Sequence, residues 1–178
     1  MRRIMNETIK TLLSRRSVRA FTNEIPSEKD INEIIQAGLY APSAMNCQSP
    51  VIIAVTNKKM RDCISIVNAS IMNKDEGFDP FYGAPVILMV IAKALPNAVY
   101  DGTATIVNMM NAAESLGLAT CWIHRAKEEM ELPFGKDLLS ELGLDGEYIG
   151  VGHVALGYRQ GEKPEPKERQ KNRVFWIK

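Results

Sequence analysis

Apolar positions recur every three to four residues near the start of the chain. Ile9, Leu12 and Leu13 share one stripe of residues 5–15, which predicts a short amphipathic helix. A second helix begins at Ser27, after Pro26, with Glu28 and Asp30 in its first turn, where acids suit the positive helix N-terminus. Ile31, Ile34, Ile35, Ala37 and Gly38 form its apolar face. Ala41-Pro42-Ser43 ends it, because the residue before a proline is pushed out of the α region. The spacing then changes. Residues 50–56 are a short β-branched run and predict a buried strand. Residues 58–73 return to helical spacing, with Met60, Cys63, Ile64 and Val67 on the apolar side. Residues 75–85 hold two prolines and two glycines and read as a loop.

A second buried strand follows at 85–92. Residues 101–117 form the most apolar helix: Ile106, Met109, Met110, Ala113 and Leu116 make one stripe, and Asn108, Asn111 and Ser115 another. Such a helix is buried in a core or an interface, and Gly117 is a suitable stop. A short strand at 119–123, a short helix at 134–142 ended by Gly143, and a strand at 148–157 complete the pattern. The last 21 residues contain Pro164, Pro166 and many charges; they read as extended and too polar to build a core alone. Strands and helices mix without regular alternation, which points to an α+β fold rather than a doubly wound sheet.

A chain of 178 residues is expected to form one domain, large enough to stabilise itself without metals or disulfides. No apolar run reaches the length of a membrane span, and residues 1–7 turn polar too early for a signal peptide. Cys47, Cys63 and Cys121 lie far apart, so reduced thiols and a cytoplasmic setting are expected. Charge changes the picture more than composition does. The net charge is only +1, yet residues 1–19 hold six basic residues and one acid, and residues 158–178 hold seven basic residues and three acids. The body between them is therefore acidic. Two solvated tails, nucleic-acid-binding arms, or two ends converging on one small anion would each account for this. The acidic body would repel a long polyanion, and neither end interleaves aromatic with basic residues, so no nucleic-acid partner is expected.

Several familiar motifs fail on context. Gly150-Val151-Gly152-His153-Val154-Ala155 fits a loose dinucleotide-binding pattern but lies inside a strand near the chain end, so glycines at a close backbone approach are the better reading. There is no P-loop and no G-x-S-x-G elbow. His124 and His153 have no ligand-spaced partners, so no metal site is expected. His153 reads as a hydrogen-bonded structural residue, and Cys121 as buried and inert. Cys47 sits in a polar loop.

What remains is Arg15-Arg16-Ser17-Val18-Arg19, three guanidiniums and a hydroxyl at a helix-to-loop change, a set suited to phosphate oxygens. A later cluster is Pro166-Lys167-Glu168-Arg169. Between them come the loop from Ala41 to Pro50, then Gly83-Ala84-Pro85, then Gly117-Leu118-Ala119-Thr120-Cys121-Trp122-Ile123. These segments, in this order from about Thr8 to Arg173, resemble the nitroreductase family of FMN-dependent oxidoreductases.

The resemblance implies a central, mainly antiparallel sheet flanked by helices, with residues 1–157 as the FMN-binding domain. It implies that residues 158–178 are an extended basic segment of the same domain, closing on the phosphate and embracing a dimer partner. The positions matching the family's first cluster, Arg15, Arg16, Ser17 and Arg19, would grip the FMN phosphate and ribityl chain and reach the ring's pyrimidine side. Pro42, Ser43, Ala44, Asn46 and Gln48 match the loop that reaches the flavin from the partner subunit. Ile123 and His124 match the strand end whose backbone passes the ring, and Lys167 and Arg169 the late pair over the phosphate. The implied protein is a homodimer with FMN at its interface, moving hydride from NADH or NADPH to flavin N5 and onward, in ping-pong fashion, to a nitroaromatic or quinone. No catalytic side chain is implied. Dehalogenation, flavin-dependent oxidation or flavin binding without turnover are alternatives. Two departures bear on substrate: many members have glycine after the W-I pair, where this chain has His124-Arg125, and tryptophan after Q-P, where this chain has Gln48-Ser49-Pro50-Val51.

Overall fold

Four strands form one sheet in the computed structural model, which describes residues 5–75 and 77–178. They are β1 (Pro50–Val55), β2 (Val86–Lys93), β3 (Ala119–Ile123) and β4 (Tyr148–Gly157). Their spatial order is β1-β2-β4-β3, and every neighbouring pair is antiparallel. The sheet is the one expected from the resemblance, and each strand lies within a residue of its predicted place. Central β2 is buried at every position except Lys93, which explains its unbroken apolar run. Its side chains divide by period two. Ile87, Met89 and Ile91 face a core with Phe21, Ile64 and Phe81, while Val86, Leu88 and Val90 face Ile34, Ile106 and Met109.

Helices cover both faces. On one side lie α2 (Glu28–Leu39) and α4 (Ala98–Ser115); on the other lie α3 (Lys58–Ile71), α5 (Ala126–Glu131) and α6 (Pro133–Glu141). Ser27 caps α2 as predicted, its hydroxyl accepting from the Asp30 amide at 3.1 Å. Gly38 lets α2 close on α4: a Cβ there would stand 2.6 Å from Met109 Cγ. Full burial of a side chain such as Ile34 contributes about 1.5–3 kcal/mol.

The structure differs from the predicted pattern in four places. First, α4 begins at Ala98 rather than 101, and Leu116, placed on its apolar stripe, caps the helix and is 37% exposed. Second, α3 buries Arg61, Ser65 and Asn68 beside Ile64, whereas Cys63 is exposed. Third, α5 has no counterpart in the sequence pattern. Fourth, α1 (Glu7–Ser14) buries nothing; its stripe of Ile9, Leu12 and Leu13 faces outward.

The polar residues of α3 have partners. Arg61 donates from Nε to the Ala84 carbonyl at 3.0 Å and from Nη2 to Asp79. Asp79 also accepts from Ser65 Oγ at 2.9 Å and from the Phe81 and Gly83 amides at 3.0 and 2.7 Å. Residues 79–84 are thus stapled to α3, with Phe81 driven fully into the core.

Candidate functional site

The basic segment after α1 runs along the outer edge of β3. Ser17 bridges Thr120 in parallel, and the Val18 amide donates to the Thr120 carbonyl at 2.9 Å. Arg15, Arg16 and Ser17 are half-buried there, while Arg19 is exposed. Three of the four surround one thiol. Burial pushes Cys121 above its ordinary pKa, against the pull of the Arg19 and Arg15 charges and the Ser17 hydroxyl. With Cys121 also buried, it is unreactive, as expected.

Two nitrogens in this segment lack acceptors among the described residues. Arg16 Nη1 donates to the Leu13 and Arg15 carbonyls at 2.8 and 2.7 Å, but Arg16 Nε and Arg15 Nη1 are buried without a partner. A buried guanidinium donor left unpaired is costly, and an anion would satisfy it. These donors fit a phosphate.

The C-terminal segment starts beside this cluster. Phe21 pairs with Arg159, the Thr22 amide donates to the Tyr158 carbonyl, and the Gln160 amide donates to that of Ala20, both at 2.9 Å. One carboxylate ties the two ends together: Glu114 accepts from Ser14 Oγ at 2.6 Å and also pairs with Lys163. Sequence reasoning missed Glu114; its only signal was an acid in a largely apolar helix. Beyond Lys163 the chain is extended, and Lys167 and Arg169 are exposed. Among the described residues, no hydrogen bond or ion pair joins either of them to the cluster.

The other candidates divide by sheet edge. Ile123 ends β3 and is buried, and His124 follows it, exposed, with its ring tilted against Trp122 at 5.9 Å. The 42–48 loop instead leads into β1, the opposite edge of the sheet. It holds a 3-10 turn at Ala44–Asn46, with Met45, Asn46 and Gln48 all at positive φ. Asp101, near the start of α4, organises it: the Ala44 amide donates to Oδ1 at 3.0 Å, and Cys47 Sγ lies 3.5 Å from Oδ2. Ser43 Oγ accepts from the Gln48 amide at 3.0 Å, and Gln48 Nε2 donates to Asn46 Oδ1 at 3.1 Å. Pro42 and Gln48 line a cleft of about 170 Å³ with Ser43. So one chain gathers the first cluster and the tail root at one edge and displays the loop at the other. Concavities of about 570 and 470 Å³ lie elsewhere, around Met60 and Leu138 and around Asn23 and Arg61.

Fold and site together define an α+β sheet protein with an unsatisfied cationic segment along one edge. The chain belongs to the nitroreductase family, whose model matches residues 12–158. It is similar to a solved nitroreductase with bound FMN from Bacteroides fragilis, with 29% identity, 98% of this chain and 100% of that one covered, and a TM-score of 0.87. A nitroreductase with bound FMN from Desulfitobacterium hafniense shows 27% identity over 98% and 100% of the two chains, with a TM-score of 0.88. A Bacillus subtilis protein named FMN reductase (NADPH) is 27% identical over 186 residues, covering 92% of this chain and 72% of that protein.

Proposed function

We propose that this protein is an FMN-dependent oxidoreductase, acting as a homodimer that takes reducing equivalents from NADH or NADPH and delivers them to a nitroaromatic, quinone or similar acceptor. Family membership and the FMN named in similar structures support the cofactor. The observation that carries it on this chain is the pair of buried guanidinium nitrogens, Arg15 Nη1 and Arg16 Nε, that meet no acceptor among the described residues. When bound, FMN supplies the hydride-accepting ring that a protein side chain cannot.

In this proposal Arg15, Arg16 and Ser17 hold the phosphate and ribityl chain, and Lys167 and Arg169 close over them from the tail. Arg19 stands toward the pyrimidine end, where a cation stabilises developing negative charge. Ile123 and His124 present backbone to the ring. Pro42, Ser43, Ala44, Asn46 and Gln48 reach the site from a second copy, since within one chain they occupy the far sheet edge. Two surfaces support the second copy: the outward stripe Ile9, Leu12 and Leu13, and the exposed Val174-Phe175-Trp176-Ile177 end of the tail. Contiguous apolar surface of this kind marks an interaction face.

Purified protein should sediment as two chains, carry flavin absorbance, bleach anaerobically with NADH or NADPH, and recolour with a quinone. Monomeric, colourless protein that ignores added FMN would sink the proposal. Bound FMN that neither nicotinamide reduces would leave a flavin protein with a different task.

A further inference from the structure

Behind the turn that follows β3, three polar side chains are sealed in the core. Asn68, Glu129 and His153 have no solvent exposure. They come from α3, α5 and β4 and form one hydrogen-bonded chain. His153 Nε2 lies 2.9 Å from Glu129 Oε2, and Asn68 Nδ2 donates to Glu129 Oε1 at 2.7 Å. The chain ends on backbone, because Asn68 Nδ2 also donates to the His124 carbonyl at 2.9 Å. Phe81 closes edge-on against His153, with 5.3 Å between ring centroids. Core stability alone gives little reason for this arrangement. Apolar side chains of similar volume often stabilise a core as well as buried ionisable ones do. Moreover, Asn68 Oδ1 and His153 Nδ1 are buried without partners among the described residues.

The chain holds a strained piece of backbone. Arg125 has φ 83 and ψ 0, a left-handed conformation that glycine adopts freely and other residues resist. The same turn is gripped from β4. A Cβ at Gly150 would lie 1.9 Å from the Ala126 carbonyl oxygen, and one at Gly152 would lie 2.5 Å from Trp122 Nε1. Bare Cα atoms let β4 press directly on the backbone after Arg125 and on the indole before it. The Asn68 bond fixes the carbonyl between them.

We propose that Asn68, Glu129 and His153 are positioning residues: by holding the His124 carbonyl they fix the left-handed turn at Arg125, and with it the backbone at the end of β3 that borders the flavin ring. This rests on the FMN reading above, since it is the flavin that makes the turn functional. His153 orients Glu129, Glu129 orients the Asn68 amide, and Asn68 sets the turn. None of the three touches the reacting atoms.

The test uses Asn68→Ala, Glu129→Gln and the double variant Asn68→Ala with Arg125→Gly. In apoprotein, Asn68→Ala should speed hydrogen exchange at the Arg125 and Ala126 amides. In holoprotein it should shift the visible FMN absorption bands and slow flavin reduction by NADH on the order of ten- to a hundredfold, as small misplacements of reacting groups do. FMN affinity should change less than the rate, because the phosphate cluster is untouched. Glu129→Gln keeps the side-chain volume and should give the same changes to a smaller degree, so it carries the test where Asn68→Ala does not fold. Adding Arg125→Gly should restore spectrum and rate toward wild type, since glycine holds the turn unaided; a packing role would not be rescued this way. Wild-type spectra, rates and exchange in both single variants, or no rescue by the glycine, would overturn the proposal. If wild-type protein bound no FMN, the flavin reading would fall and the functional role with it, while the apoprotein exchange would still report whether Asn68 pins the turn.

Discussion

Two arginines with buried nitrogens show how differently one residue type is used in this molecule. Arg61, in α3, is 9% exposed, and each of its nitrogens has an acceptor: Nε the Ala84 carbonyl, Nη2 Asp79 and Nη1, at 3.5 Å, Asp62. Its guanidinium carbon also lies 5.8 Å from the centre of the Phe81 ring. Arg15, beside β3, has Nη1 buried with nothing to donate to, and among the described residues it makes no ion pair. Burying a charge is tolerable only when its donors are met. Arg61 is met from within, so it belongs to the fold. Arg15 is not met among the described residues, which leaves its donor for the phosphate of the proposed cofactor.

The two should therefore fail in different assays. Arg61→Ala removes one partner of a largely buried ion pair and strands Asp79, so stability should fall by about 3 kcal/mol in urea, the low end for such a loss because Asp79 is partly exposed. FMN binding by the fraction still folded should be unchanged. Arg15→Ala should do the reverse. A charged hydrogen bond contributes about 1.5–3 kcal/mol, so FMN should bind roughly ten- to a hundredfold more weakly, with the unfolding midpoint of the apoprotein held or raised. Arg169→Ala should weaken FMN in the same range by equilibrium dialysis. Unchanged affinity in both variants would reduce the basic ends to solvated surface and erase the contrast.

The sequence carries one half of this contrast more openly than the other. The four strands were legible because β-branched runs such as Val51-Ile52-Ile53 and Val86-Ile87-Leu88 have one physical explanation, burial in a sheet. The Arg15–Arg19 cluster stands out in the sequence as three guanidiniums in five residues, and the structure adds that Arg15 and Arg16 are half-buried there. The short helix α5 was not, because its two buried residues are Ala126 and Glu129, and a buried glutamate inverts the apolar code. Arg61, Ser65 and Asn68 were invisible for the same reason: their burial is stabilised by Asp79, Ala84 and Glu129, which lie far away in sequence. The outward stripe of α1 has the opposite lesson. Its periodicity matches a buried helix, yet among the described residues of one chain its stripe stays exposed. Gly150 and Gly152 were correctly read as points of close packing, since both would drive a Cβ into neighbouring atoms.

The smallest expected effect probes the satisfied side of the contrast by pH. Burial alone would push the Asp79 carboxyl up, but the Arg61 hydrogen bond and the Phe81 and Gly83 amides outweigh it and hold the group below its ordinary 3.8. A carboxyl with a lowered folded-state pKa adds stability above its unfolded value, and that stability is lost as pH falls through the folded value. Asp79→Asn keeps the shape, leaves Arg61 only the more distant Asp62 carboxylate, and should cost about 1–2 kcal/mol near pH 7. As pH drops below about 4, the unfolded chain takes up the proton first, so the gap should narrow, and it closes only once pH passes below the lowered folded-state value. Urea unfolding of both at pH 7, 5, 4 and 3 measures the gap. A gap that stayed constant across that range would show that the Asp79 charge does not stabilise the loop, and that Arg61 is held by the Ala84 carbonyl, Asp62 and its ring contact.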